Sequence, residues 1–142
     1  MSTEFAAPLP NRTVLPGEYL LELVPLPVAD VDRAKAFYTD RLAFHVDVDM
    51  SPAEGVRICQ LTPPGSACSI LLSEGLPHLD GALGTVRGLH LVVADIERAR
   101  AALVERGTEV GEVEDVGGGV LYASFADPDG NTWTLQHMPW RV

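Results

Sequence analysis

Apolar and polar residues along the 142-residue chain alternate in short runs of two different periods. In "LELVPLPVAD" the positions Val24, Leu26 and Val28 recur every second residue, which predicts a strand running straight into a helix start. Asp30 is placed to cap that helix, and Asp32 adds negative charge to its first turn. Val31, Ala34, Phe37 or Tyr38, and Leu42 share one helical face, which needs a sheet to cover. Three short, partly alternating runs follow, "FHVDVDM", "VRICQL" and "ACSILL", with the turn "TPPGS" parting the last two. The order is β-α-β-β-β.

The second half repeats this order: "GLHLVVAD", a helix from Ile96, a short strand near Glu109 to Val113, then "GVLYASFA" and "NTWTLQHM" around the turn "ADPDG". "EVEDVGGG" reads as a loose hairpin with its tip at Gly117 to Gly119. The two helical stretches are also similar residue by residue. "VADVDRAKAFYTDR" from Val28 meets "VADIERARAALVER" from Val93 at an offset of 65 (93 − 28), with identity at Val28, Ala29, Asp30, Arg33, Ala34, Ala36 and Arg41. Without a gap, the same offset carries Pro63 and Gly65 onto Pro128 and Gly130. Two landmarks of different kind at one offset argue for duplication of a supersecondary module.

The expected organisation is α+β: an N-terminal arm (1–18), a first module (19–73), a linker (74–83), a second module (84–138) and a short tail (139–142). Pro8, Pro10 and Pro16 suggest that the arm is extended. In the last strand Trp133 and Leu135 oppose Thr132, Thr134 and Gln136, and in "GLHLVVAD" Leu89, Leu91 and Val93 oppose Gly88, His90 and Val92. The apolar sets are expected on the helices, and the opposite faces of both modules around a common cleft.

Composition narrows the function. Twenty acidic against ten basic residues give a formal charge of −10, which repels phosphate backbones and excludes nucleic acid as a natural partner. No apolar run approaches the ~20 residues of a membrane span, and the first residues lack a secretory signal pattern. Cys59 and Cys68 lack CxxC spacing, so a reducing cytoplasm fits. Nine arginines to one lysine, with abundant Ala, Gly and Val, point to a GC-rich bacterial genome.

Two β-α-β-β-β modules, "VADVDRAKAFY" after the first strand and "FADPDGNTWTLQ" near the end together resemble the vicinal oxygen chelate superfamily, the group of glyoxalase I, bleomycin-resistance proteins and extradiol dioxygenases. The resemblance implies a divalent metal held by His, Gln or Glu from four strands. One ligand per module would lie seven residues before the capping Asp, at Leu23 and Gly88, and the other about four after the turn glycine, at Ser69 and Thr134. None of these offers imidazole or carboxylate, so no metal and no other cofactor are expected.

His90 lies two residues beyond Gly88 on the same predicted face and is the histidine placed in the cleft; His45, His78 and His137 read as surface or edge residues. Its readings are a hydrogen-bonded structural residue, a ligand contact, an acid–base group, or a displaced metal ligand. Ser69, Thr134 and Gln136 join it on the inferred polar face, with Tyr122 and Cys59 on strands whose facing alternation leaves open. By the offset, Ser69 and Thr134 are equivalent and His90 corresponds to Pro25. Trp133 is expected in the core, and Trp140 over a cleft or a subunit interface.

The expected function is metal-free binding of a small organic molecule, as in the bleomycin-resistance branch, with drug sequestration as its purpose and a homodimer as its form. The alternative is a metal-free isomerase, lyase or hydrolase of bacterial secondary metabolism with His90 as candidate catalytic group; a metal-dependent lyase or dioxygenase ranks third.

Overall fold

The computed structural model describes residues 12–142, and the chain divides into two compact units between Asp80 and Gly81. The part of the arm that holds Pro8 and Pro10 lies outside the described residues. Pro16 sits in a turn closed by Glu18 N–H donating to the Leu15 carbonyl at 3.1 Å, so this stretch is bent where extension was expected.

The first unit runs β1 (Leu23–Pro25), α1 (Val31–Asp40), β2 (His45–Ala53), β3 (Val56–Thr62) and β4 (Ser69–Glu74), then a 3-10 turn at Pro77–Leu79. Its sheet has the order β1-β4-β3-β2, with β1 parallel to β4 and the other pairs antiparallel. Asp30 caps α1 as its position suggested, its Oδ1 accepting from Arg33 N–H at 3.2 Å. The buried stripe of α1 is Val31, Ala34 and Tyr38, which settles Tyr38 over Phe37; it covers β4 and β3. Tyr38 is fully buried and stacks on Phe44, ring centroids 5.5 Å apart.

Past the end of α1 the chain reverses through Ala43, which holds φ +56°, while Phe44 N–H donates to the Tyr38 carbonyl at 3.0 Å. A left-handed residue after a helix normally is glycine, because a Cβ there crowds the following carbonyl.

The second unit repeats the plan with β5 (Leu89–Val92), α2 (Ile96–Glu105), β6 (Glu114–Gly117), β7 (Val120–Ala126) and β8 (Thr132–His137), ordered β5-β8-β7-β6. Asp95 caps α2 through Arg98 N–H at 3.1 Å, and Ile96 and Leu103 bury the helix against β7 and β8. Trp133 is 3% exposed and stacks on Phe125, as its core assignment required. The "ADPDG" turn is tied by Asp127, whose Oδ1 accepts from Asp129 and Asn131 N–H, each at 2.9 Å.

One strand is displaced from expectation. The stretch Glu109 to Val113 forms only an isolated bridge, Val110 with Phe125, and the paired strand is β6 at Glu114–Gly117. Arg100 explains the shift. Its guanidinium donates to the Gly111 carbonyl at 2.7 Å and the Val110 carbonyl at 3.0 Å, occupying acceptors that a longer ladder would use. The hairpin tip lies at Gly118 and Gly119, between β6 and β7.

Candidate ligand-binding face

Residues directly opposite each other on paired strands share a face, so register fixes what alternation left open. In the second unit His90 pairs with Thr134, Thr134 with Ser124, Gln136 with both Val92 and Tyr122, and Tyr122 with Glu114. These side chains form one continuous face of the sheet. The opposite face, Leu135, Ala123, Phe125 and Trp133, is buried against α2. His90, Thr134, Gln136 and Tyr122 are thereby brought together. Ser124 and Glu114 belong with them; the alternation of "LYASF" could have found Ser124, whereas Glu114 depended on the displaced β6.

On this face His90 is exposed, its Nδ1 lies 2.7 Å from the Gly88 carbonyl, and its ring meets Tyr122 edge-on at 5.2 Å between centroids. Ser124 and Thr134 share a hydroxyl contact of 3.2 Å. Tyr122 and Gln136 are half-buried, and their polar ends make no hydrogen bond within the described residues.

The first unit uses the equivalent face differently. Ser69 pairs with Leu23 and is only 1% exposed. Gln60 Nε2 donates to Ser69 Oγ at 3.2 Å, Ser69 and Thr62 hydroxyls lie 2.6 Å apart, and Thr62 Oγ1 donates to the Asp47 carboxylate. Each hydroxyl has one proton, so the chain runs in one direction, Gln60 to Ser69 to Thr62 to Asp47. Ser69 therefore is committed inside its own module. Asp47 enters this chain through a bulge between Val46 and Val48, which nothing in the sequence announces.

Cys59 pairs with Asp49 and Leu72, is fully buried, and lies on the helix side of the sheet. Burial raises its thiol pKa, first through lost solvation and then through the charge of Asp49, which makes it an inert core thiol. His45 and His78 are exposed as expected, and His137 is held by the Ala94 carbonyl at 3.0 Å.

Register also corrects the correspondence between modules. Leu23 lies opposite Ser69 and His90 opposite Thr134, so with Ser69 matched to Thr134 by the spacing from the turn glycines Gly65 and Gly130, His90 corresponds to Leu23, an offset of 67 (90 − 23), and Pro25 corresponds to Val92. The cause is loop length. Leu26 N–H bonds the Leu71 carbonyl four residues before Asp30, whereas Val93 N–H bonds the Gln136 carbonyl two residues before Asp95. Counting back from the cap thus reached Gly88 where the strand presents His90.

The corrected strand positions still do not suit the metal of the vicinal oxygen chelate proteins. They offer the alkyl of Leu23, the committed hydroxyl of Ser69, the imidazole of His90 and the hydroxyl of Thr134, a single strong donor. Among the described residues no group of three or more His, Cys, Asp or Glu could hold a metal ion.

A family model described as the Glyoxalase/Bleomycin resistance protein/Dioxygenase superfamily matches residues 19–135, and the chain belongs to that superfamily. Among solved structures it is similar to TnmS3, an antibiotic binding protein from Streptomyces sp. CB03234, with 32% identity, 85% of this chain and 97% of that one covered, and a TM-score of 0.72. A glyoxalase/bleomycin resistance protein from the same Streptomyces strain is 34% identical, with 80% and 96% covered and a TM-score of 0.67. A superfamily member from Sphaerobacter thermophilus is 29% identical, with 85% and 98% covered and a TM-score of 0.73. No curated protein matches the chain. Among the described residues no helix is long and apolar enough to cross a membrane.

Proposed function

We propose that this protein binds and sequesters a small organic molecule of antibiotic type, without the metal used elsewhere in its superfamily, and that the contacts lie on the open face of β5, β8 and β7. The observation that carries this reading is the contrast between the two equivalent faces. In the first module the polar groups bond one another from Gln60 to Asp47. In the second, His90, Tyr122 and Gln136 stand ready with polar groups uncommitted to the core, beside Val92, which is 43% exposed. A few oriented polar groups amid apolar surface suit a small-molecule site. Similarity to TnmS3, an antibiotic binding protein, supports the same class of ligand. In this reading the protein acts as a homodimer in a bacterial cytoplasm, with exposed Trp140 (66%) and Leu21 (70%) as interface side chains.

The test is a thermal-shift screen with drugs and aromatic metabolites, together with elemental analysis of the purified protein. A bound compound at about 100 times its Kd raises stability by about 2.7 kcal/mol. His90→Ala should weaken that compound about tenfold through loss of one hydrogen bond, with the fold kept because the side chain is exposed. Recovery of the compound unchanged supports sequestration. A transformed product would overturn it in favour of the metal-free isomerase, lyase or hydrolase, and one tightly held metal per chain would restore His90 as a ligand.

A further inference from the structure

We infer that His90 is held as its Nδ1–H tautomer, so that its Nε2 is a hydrogen-bond acceptor and the face selects ligands that carry a hydroxyl or N–H donor on an aromatic frame. This rests on the ligand-binding reading of the face and adds the chemistry of what it takes.

Gly88 donates its N–H to both the Thr132 carbonyl, at 3.0 Å, and the Thr132 hydroxyl, at 2.7 Å, which pins the backbone where β5 begins. Its φ is +74°, a conformation in which a side chain is disfavoured although a Cβ would meet no atom within 4 Å. The Gly88 carbonyl lies 2.7 Å from His90 Nδ1. A carbonyl oxygen can only accept, so Nδ1 carries the hydrogen, and in the neutral ring Nε2 is left with a lone pair. The edge-on contact with Tyr122, 85° between planes, is a second contact on the ring. Glu114, opposite Tyr122, is a second acceptor on the same face. A ligand donor meets matching acceptors here, whereas an ether oxygen in its place leaves Nε2 facing another lone pair. The aromatic frame follows from the Tyr122 ring and Val92, the apolar surface beside these acceptors. Gly88 is in this account a positioning residue for His90.

The experiment uses the full chain at neutral pH. Two-bond 15N–1H correlation spectra assign the His90 signals by comparison with His90→Phe and read the tautomer directly. The expected pattern is protonated Nδ1 with bare Nε2; a protonated Nε2 with bare Nδ1 overturns the inference whether or not any ligand binds. Gly88→Ala should blur this pattern towards a mixture of tautomers, with the amide spectrum showing that the fold is kept. An unchanged tautomer in folded Gly88→Ala removes the positioning role.

The ligand arm titrates 2-naphthol and 2-methoxynaphthalene, in which a methyl group replaces the hydroxyl hydrogen and removes the donor, while following Tyr122 and Gln136 resonances. 2-Naphthol should bind about tenfold more tightly, the equivalent of one hydrogen bond, and His90→Phe should abolish the preference while keeping a ring against Tyr122. Equal binding of both compounds on this face leaves the ligand-binding reading standing and sinks the inference. Failure of both to perturb the face in the wild-type protein removes the face itself.

Discussion

Asp49 is the centre of the charge network that ties α1 to the first sheet, and Asp49→Asn should destabilise the protein by about 1 kcal/mol at neutral pH. Arg57 grips the carboxylate at both oxygens, Nε to Oδ1 at 3.1 Å and Nη2 to Oδ2 at 3.0 Å, while Lys35 from α1 reaches Oδ2 at 2.7 Å. A second arm runs from Arg57 Nη1 to Asp32 at 2.6 Å. Hydrogen bonds from Arg57 and then Lys35 lower the Asp49 pKa from 3.8 to about 2. At ~1.36 kcal/mol per pH unit this bounds the contribution near 2.4 kcal/mol. Solvent lowers it: the Lys35 and Asp49 side chains are 34% and 22% exposed, and exposed pairs contribute about 0.2 to 1 kcal/mol each.

The folded pKa lies below the unfolded one, so the stabilisation is complete above about pH 4 and lost as pH falls through 2. Thermal melts of wild type and Asp49→Asn from pH 2 to 7 should differ by about 3 to 5 °C between pH 5 and 7 and converge towards pH 2. Added salt should narrow the gap at neutral pH. A difference that is the same at pH 2 and pH 7 would refute the electrostatic account and leave hydrogen-bond geometry as the cause.

Three further outcomes are expected. Ala43→Gly should stabilise the protein by about 0.5 to 1 kcal/mol in urea melts, because glycine relieves the +56° φ after α1 and the gain exceeds the added freedom of the unfolded chain. Gly75→Ala should cost more than about 3 kcal/mol or abolish soluble expression, since φ is +78° and the new Cβ would stand 2.1 Å from the Gly55 carbonyl oxygen, a backbone atom that cannot step aside cheaply. Light scattering at micromolar concentration should give twice the 15.2 kDa chain mass; the monomer mass alone would refute the proposed dimer.

The fold was legible because its strongest signals are local. Asp30 and Asp95 cap their helices in place, and the period-two runs became the strands that flank them. The site was less so, since strand pairing depends on loop length, which identical residues do not report. The offset of 65 is correct for the capping residues and for Leu71 with Gln136. The strands between follow other offsets: His90 answers Leu23 at 67, and Tyr122 answers Gln60 at 62 (122 − 60), because each pairs with the equivalent residue of the last strand. One gapless count therefore cannot correctly match both Ser69 with Thr134 and Pro25 with His90, because the first pair of strands is offset from the second by two residues. The facing of Cys59 and Tyr122, and the entry of Asp47 into the Thr62–Ser69 chain through a bulge, needed register that short alternating runs cannot supply.

With the register in hand, the two copies show how a duplicated module can divide its labour. Lys35 and Arg100 occupy the same helical position, 65 apart, yet Lys35 joins the Asp49 network while Arg100 holds the carbonyls of Val110 and Gly111. The first module thus secures its helix to β2, a strand of nine residues, and the second secures its helix to a loop, leaving β6 with four. On the opposite faces the pattern continues. Gln60 gives its amide to Ser69 in the first module, whereas Tyr122, at the matching register position, touches His90 and makes no hydroxyl hydrogen bond among the described residues. Buried polar groups need partners, and a module that supplies all of them internally has nothing left to offer a ligand. In the second module His90 and Ser124 are exposed where the matching Leu23 is half-buried and Thr62 is buried, so on the proposed reading substitution at His90, Tyr122 or Gln136 should change recognition without disturbing the core.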